Sequence, residues 1–129
     1  RRPNVISKKT VLIVDDHPLF REGLKTIIRC DTRYEILGEA GNGLEAMRII
    51  REQRPDLVLL DLSMPRMNGF SVMGEIKGEM PDVKILVLSI HESDQYVLQA
   101  FESRADGYAI KDSTREELRA AIRCVLDYP

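Results

Sequence analysis

Cysteine is scarce in this chain. Its two cysteines, Cys30 and Cys124, lie far apart on segments that read as helices and lack CxxC spacing, which excludes a thiolate metal site or a dithiol redox motif and favours two reduced structural thiols over a disulfide. Histidine is equally scarce: His17 beside Pro18 reads as a helix-start residue and His91 as a loop residue, so neither enters a site. No apolar run approaches the length that crosses a bilayer. The basic start RRPNVISKK runs into a short apolar stretch ending at Asp15-Asp16, unlike a signal peptide. A cytoplasmic protein without membrane contact is expected. Charge of one sign is missing as well. Nineteen Lys and Arg against 21 Asp and Glu give −2, too little basic surface for the chain itself to read nucleic acid. Internal repeats and low-complexity segments are absent. Gly41-Asn42-Gly43 reads as turn chemistry, and Met64, Met67 and Met73 as packing residues around a turn and a helix start, not copper ligands.

What is present is one regular pattern over 129 residues, enough for a single domain at about 10–128 behind a tail at 1–9. Val11–Val14, Leu57–Leu60 and Val83 with Ile85–Leu88 are short, mostly apolar runs of the kind buried on both faces of a parallel sheet. Tyr34–Ala40, broken by Glu35 and Glu39, and the very short Tyr108–Ile110 suit sheet edges. Helical patterns separate them, with start signals at Pro18, at Asn42 with Glu45, at Ser93, and at Ser113 with Glu116 as a capping box. Phe20, Leu24, Ile27 and Ile28 form one apolar stripe, and Leu118, Ala121, Ile122 and Val125 another. Five strands alternating with five helices predict an α/β, doubly wound, five-stranded parallel sheet of order 2-1-3-4-5, the flavodoxin-like (CheY-like) arrangement, with ligands beyond the carboxyl ends of the strands.

At those ends the sequence places Asp15 and Asp16 after the first strand, Asp61 after the third, Ser89 at the end of the fourth and Lys111 after the last, at a solvent-facing strand end. Two carboxylates about 4 Å apart repel by roughly 4 kcal/mol at an effective dielectric near 20, so three together favour a compensating cation. Hard oxygen ligands favour Mg²⁺, which keeps waters and takes one or two carboxylates plus phosphate oxygens. A carboxylate can attack phosphorus in line while a cation and an ammonium neutralise the equatorial oxygens. Asp61, standing alone at the end of the third strand, is the nucleophile candidate, and the Asp15-Asp16 pair suits the cation. Lys111 and the Ser89 hydroxyl suit the phosphoryl oxygens. Taken singly, an Asp-Asp pair is usually a turn or cap and a lone Ser or Lys is usually solvated loop; their coincidence at one sheet edge is what argues for a site.

With VLIVDDHPLFREGL, GEAGNGLEA, PDLVLLDLSMPRMNG, ILVLSIHE and ADGYAIKDSTREELRAAI in view, the chain resembles the response-regulator receiver family over residues 10–127, and more closely the receivers of NarL/FixJ-type transcription factors. DLSMPRMNG is the most specific segment. The resemblance implies a two-component signalling domain phosphorylated on Asp61 by a sensor histidine kinase. It further implies Mg²⁺ (replaceable by Mn²⁺) held directly by Asp16, Asp61 and the Ser63 carbonyl, with Asp15 acting through water. Ser89 and Tyr108 would form a switch pair, although an edge-strand aromatic often only packs. Phosphorylation would then repack a face of Gln95, Tyr96, Gln99, Tyr108 and residues 115–123, against which an output domain docks or a second copy dimerises. A helix-turn-helix DNA-binding domain is expected beyond Pro129, and DNA contact only through it. Lys111 is followed by Asp112 where many receivers have Pro, so a trans bond is expected there. The chain would be no enzyme beyond its own phosphorylation and dephosphorylation. A phosphatase of the haloacid-dehalogenase type would need DxDxT where DDHPLF stands, a flavin carrier would need a Ser/Thr-Gly-rich first loop, and a receiver-shaped module that is never phosphorylated remains a third alternative.

Overall fold

The computed structural model describes residues 8–64 and 68–127. Most of the tail at 1–9, Met67 in the middle of DLSMPRMNG, and the last two positions lie outside the described residues. The elements run β1 (Lys9–Val14), α1 (Pro18–Arg29), β2 (Tyr34–Ala40), α2 (Gly43–Gln53), β3 (Leu57–Asp61), α3 (Gly69–Glu79), β4 (Lys84–Ser89), α4 (Asp94–Glu102), β5 (Gly107–Ile110) and α5 (Arg115–Asp127). The five strands form one sheet of order β2-β1-β3-β4-β5 with every neighbouring pair parallel. β1 starts at Lys9, one residue before the expected domain start. Edge strands β2 and β5 are only partly buried along most of their length, whereas β3 is buried throughout.

The continuous apolar runs are explained by two cores. Successive strand residues point to opposite faces: Leu12, Val14, Val58, Leu60, Ile85 and Val87 pack under α2, α3 and α4, while Val11, Ile13, Leu57, Leu59, Leu86 and Leu88 pack under α1 and α5. The stripes on α1 and α5 meet this second core, with Phe20 and Ala121 only partly buried at its margin.

Helix starts are set by side-chain caps. Pro18 opens α1, where its missing N–H is no loss. Asn42 Oδ1 accepts from Glu45 N at 2.8 Å, and Glu45 Oε1 accepts from Gly41 N at 3.3 Å. Asn68, not singled out in the sequence, caps α3 by accepting from Phe70 N at 3.0 Å. Ser93 precedes α4 without a side-chain cap bond. The capping box of α5 is Thr114 with Glu117, not Ser113 with Glu116: Glu117 N donates to Thr114 Oγ1 at 3.1 Å and Thr114 N to Glu117 Oε1 at 2.8 Å. Ser113 is already committed to the turn after β5, its N–H donating to Ile110 O at 3.0 Å, so the helix starts one residue later.

The amino ends of the strands, away from the expected site, are tied by polar staples. Thr10 N donates to Asp56 Oδ2 at 2.7 Å across β1 and β3. Buried Lys77 donates to Asp106 Oδ2 at 2.7 Å and Val83 O at 2.9 Å, and Asp106 Oδ2 also accepts from Ile85 N at 2.8 Å. Cys30 and Cys124 are exposed free thiols. No helix among the described residues is long and apolar enough to cross a membrane.

Candidate functional site

The alternation that builds the two cores also aims the acidic residues. Asp15 continues the row of Val11 and Ile13, and Asp61 the row of Leu57 and Leu59, so both fall on the α1/α5 side at adjacent strand ends. Both are buried, Asp15 at 0% and Asp61 at 1% exposure. Exposed Asp16 follows in the loop, and one oxygen from each of the three carboxylates lies within 4.8 Å of the others.

Each buried carboxylate is oriented by the backbone two residues on. His17 N donates to Asp15 Oδ1 and Ser63 N to Asp61 Oδ1, both at 2.8 Å. The other oxygens face Lys111, whose Nζ stands 3.0 Å from Asp15 Oδ2 and 3.1 Å from Asp61 Oδ2. The contact to Asp61 is a hydrogen bond. Asp15 Oδ2 has only the ion pair and accepts no directed hydrogen bond although it is fully buried. Lys111 is not at a solvent-facing end as expected: its side chain is 13% exposed, because the Lys111 N–H to Ser89 O bond of 2.8 Å continues the ladder past β5 and turns the residue inward. The Phe20 ring, read from the sequence only as core, lies 4.6 Å from Nζ, a cation–π contact. The described residues contain no cis peptide bond, so Lys111-Asp112 is trans as expected.

The electrostatics follow from this crowding. Burial pushes the Asp15 carboxyl above its ordinary range and the Asp61 charge adds to that, against the lowering effects of the His17 N–H and the Lys111 ammonium. Burial works to lower the Lys111 ammonium, but its close contacts with the Asp15 and Asp61 carboxylates outweigh it and leave Lys111 above its ordinary value. Three carboxylates around one ammonium, with a buried oxygen lacking a directed donor, fit a hard divalent cation bound through oxygen.

Ser89 and Tyr108 lie on the opposite face. Ser89 continues the row of Ile85 and Val87, and Tyr108 packs on the same α2–α4 core. Ser89 is fully buried, and its Oγ accepts from His91 N at 3.0 Å. Tyr108 donates its hydroxyl to His91 O at 2.8 Å. One loop residue therefore ties both members of the expected switch pair through its own backbone, a link no residue pattern signalled. The His91 ring stacks on Tyr96, centroids 4.0 Å apart and 9° from parallel. The structure thus brings Asp15, Asp16, Asp61 and Lys111 together and sets Ser63 beside Asp61 through its N–H. It places Ser89 at the same sheet edge, bonded to the loop rather than to the acidic cluster.

Comparison with known proteins gives a consistent result. The family model described as the response regulator receiver domain matches residues 11–123. The transcriptional regulatory protein YdfI of Bacillus subtilis (strain 168) is 44% identical over 117 residues, spanning 88% of this chain and 54% of that protein. The nitrate/nitrite response regulator protein NarL of Escherichia coli (strain K12) is 36% identical over 113 residues, spanning 88% and 52%. Among solved structures, a two-component response regulator of the LuxR family from Aurantimonas sp. SI85-9A1 superposes with a TM-score of 0.88 at 36% identity, covering 94% of this chain and 86% of that one. The chain spans about half the length of the curated relatives it matches.

Proposed function

The chain belongs to the response regulator receiver domain family, and on that premise we propose that it is a phosphorylation switch whose acceptor is Asp61. The carrying observation is Asp61 itself: a buried carboxylate with one oxygen held by Ser63 N and the other by Lys111, beside two further carboxylates.

In the proposed step an Asp61 oxygen attacks the phosphorus of a kinase phosphohistidine. The new P–O bond forms as the P–N bond breaks, and the electron pair leaves on the imidazole nitrogen, which regains a proton from solvent. Asp16, Asp61 and the Ser63 carbonyl would hold Mg²⁺ or Mn²⁺ directly, with Asp15 assisting. When bound, the cation supplies the positive charge that three carboxylates and a phosphoryl group require. Lys111, now shared between two carboxylates, is in reach to pair with a phosphoryl oxygen on Asp61. The Ser89 hydroxyl accepts from His91 N but keeps its own proton available to donate. Drawing Ser89 toward the phosphoryl group would pull on the His91 loop and loosen the Tyr108 bond to the same residue. That movement is the route by which the α4–β5–α5 face would change. A differential of a few kcal/mol between the two arrangements suffices to reverse their populations.

The domain would act in the cytoplasm and turn over no other substrate. Its output half would be a DNA-binding domain, as the transcriptional regulators among its relatives suggest. Intact-mass measurement with acetyl phosphate tests the reading. One acid-stable, base-labile phosphoryl group is expected with Mg²⁺, little with EDTA, and none in Asp61→Asn; full modification of the Asn variant overturns it. A longer protein including the output half is expected to bind DNA more tightly after modification, and equal binding before and after would refute the transcriptional role.

A further inference from the structure

One charged side chain beside the acidic cluster has so far been given no part in the chemistry. Arg21, in the first turn of α1, donates from Nη1 to the backbone carbonyl of Asp15 at 2.7 Å. Its Nε lies 3.2 Å from Glu39 Oε1 on β2, an ion pair outside directed hydrogen-bond geometry. Glu39 is steadied from the other side by Lys25, 2.9 Å from Oε2. The guanidinium passes over Gly41, where a Cβ would stand 3.4 Å from Nη1. On its amino side Asp15 is also fixed, its N–H donating to Ala40 O at 3.0 Å.

The carbonyl that Arg21 holds belongs to the peptide linking Asp15 to Asp16. A peptide group is planar, so fixing its oxygen fixes the direction in which the Asp16 Cα departs. That matters most for Asp16. Asp15 is buried and oriented by His17 N, but Asp16 is exposed, so burial does nothing to hold its carboxylate near the other two.

We propose that Arg21, anchored by Glu39, is a positioning residue that presets the Asp15-Asp16 peptide so that both carboxylates converge on one cation. The inference rests on the reading that the acidic cluster takes Mg²⁺. A role limited to joining α1 to β2 would show as a loss of stability in the metal-free protein with no change in metal affinity.

The test is calorimetric titration of Mg²⁺ into the parent, Arg21→Ala, Arg21→Lys and Glu39→Gln proteins, with urea unfolding of each in EDTA. Residues that orient metal ligands from outside the ligand shell typically contribute 10–100-fold in affinity, and a loss of about tenfold is expected for Arg21→Ala. Arg21→Lys should recover part of it, since an ammonium still donates to the Asp15 carbonyl, and Glu39→Gln should lose part of it. With acetyl phosphate, the Mg²⁺ concentration for half-maximal phosphorylation should rise by the same factor, while the rate at saturating Mg²⁺ falls far less. Parent-like Mg²⁺ affinity in Arg21→Ala, whatever its stability in EDTA, overturns the inference. If that variant does not fold, parent-like affinity in both Arg21→Lys and Glu39→Gln overturns it. A parent that fails to bind Mg²⁺ overturns the reading of the acidic cluster and this inference together, so the two failures are distinguishable.

Discussion

Lys111 balances the site in the absence of metal. Its ammonium is the only cationic group within 3.1 Å of the Asp15 and Asp61 carboxylates among the described residues, and both acids are buried, so removing it leaves two uncompensated charges in a low-dielectric setting. Lys111→Ala should therefore destabilise the metal-free protein by about 3 kcal/mol, since breaking a buried pair from one side costs that order. Mg²⁺ should restore much of the loss. Urea unfolding in EDTA and in Mg²⁺ reads both, and equal stability of variant and parent in EDTA would refute this role. The sequence located Lys111 but not its burial, because how far a side chain after an edge strand turns inward depends on the turn that follows. A second residue-scale effect concerns acid. Hydrogen bonds from the Arg33 side chain and N–H hold the Asp31 carboxyl at about 2 instead of 3.8. Because the folded value is depressed, the associated stability is present above 3.8 and is lost as pH falls through about 2. Arg33 is half exposed, so the effect is small and screened by salt. Asp31→Asn should flatten the acid limb of the stability curve in that window, and an unchanged limb would contradict it.

At the scale of elements, α5 packs on β5 at Gly107, where a Cβ would stand 2.6 Å from Val125 Cγ2 and 3.0 Å from Leu86 Cδ1. Val125 is β-branched and stiff, so α5 itself must shift to admit a methyl group. Gly107→Ala should lower stability by about 1–3 kcal/mol, the usual cost of overpacking, and a denaturant midpoint equal to the parent's would contradict it. Nothing in the sequence marks Gly107 as a contact point, since its crowding comes from residues 18 and 21 positions away in the chain. By contrast, the five strands, their order and the convergence of Asp15, Asp16, Asp61 and Lys111 were legible, because apolar runs and strand-end positions are local patterns that topology rules assemble. The α5 start slipped by one residue because Ser113 and Thr114 are equally good caps on paper, and only the turn after β5 decides between them. The Arg21, Phe20 and His91 contacts were hidden for the same kind of reason: each joins elements whose relative placement a sequence does not print. A basic residue one turn past an acidic pair is the faint signal that could have pointed to Arg21.

For the molecule as a whole, two cores flank a sheet whose carboxyl edge carries the acidic cluster on one face and Ser89 with Tyr108 on the other. In the proposed switch, chemistry on the α1/α5 side would be reported on the α3/α4 side through the end of β4 and the His91 backbone, which bonds both Ser89 and Tyr108. The reading requires that the phosphoryl group be carried by Asp61, at the end of β3, and by neither of the carboxylates that follow β1, the buried Asp15 and the exposed Asp16. The most direct measurement is borohydride reduction of the acetyl-phosphate-treated protein followed by tandem mass spectrometry of its tryptic peptides, since reduction of an acyl phosphate on aspartate leaves homoserine at that position. Homoserine at residue 61 alone, formed with Mg²⁺ and lost with EDTA, is the result expected; homoserine at Asp15 or Asp16, or at no position in a protein that has gained a phosphoryl group, would contradict the account.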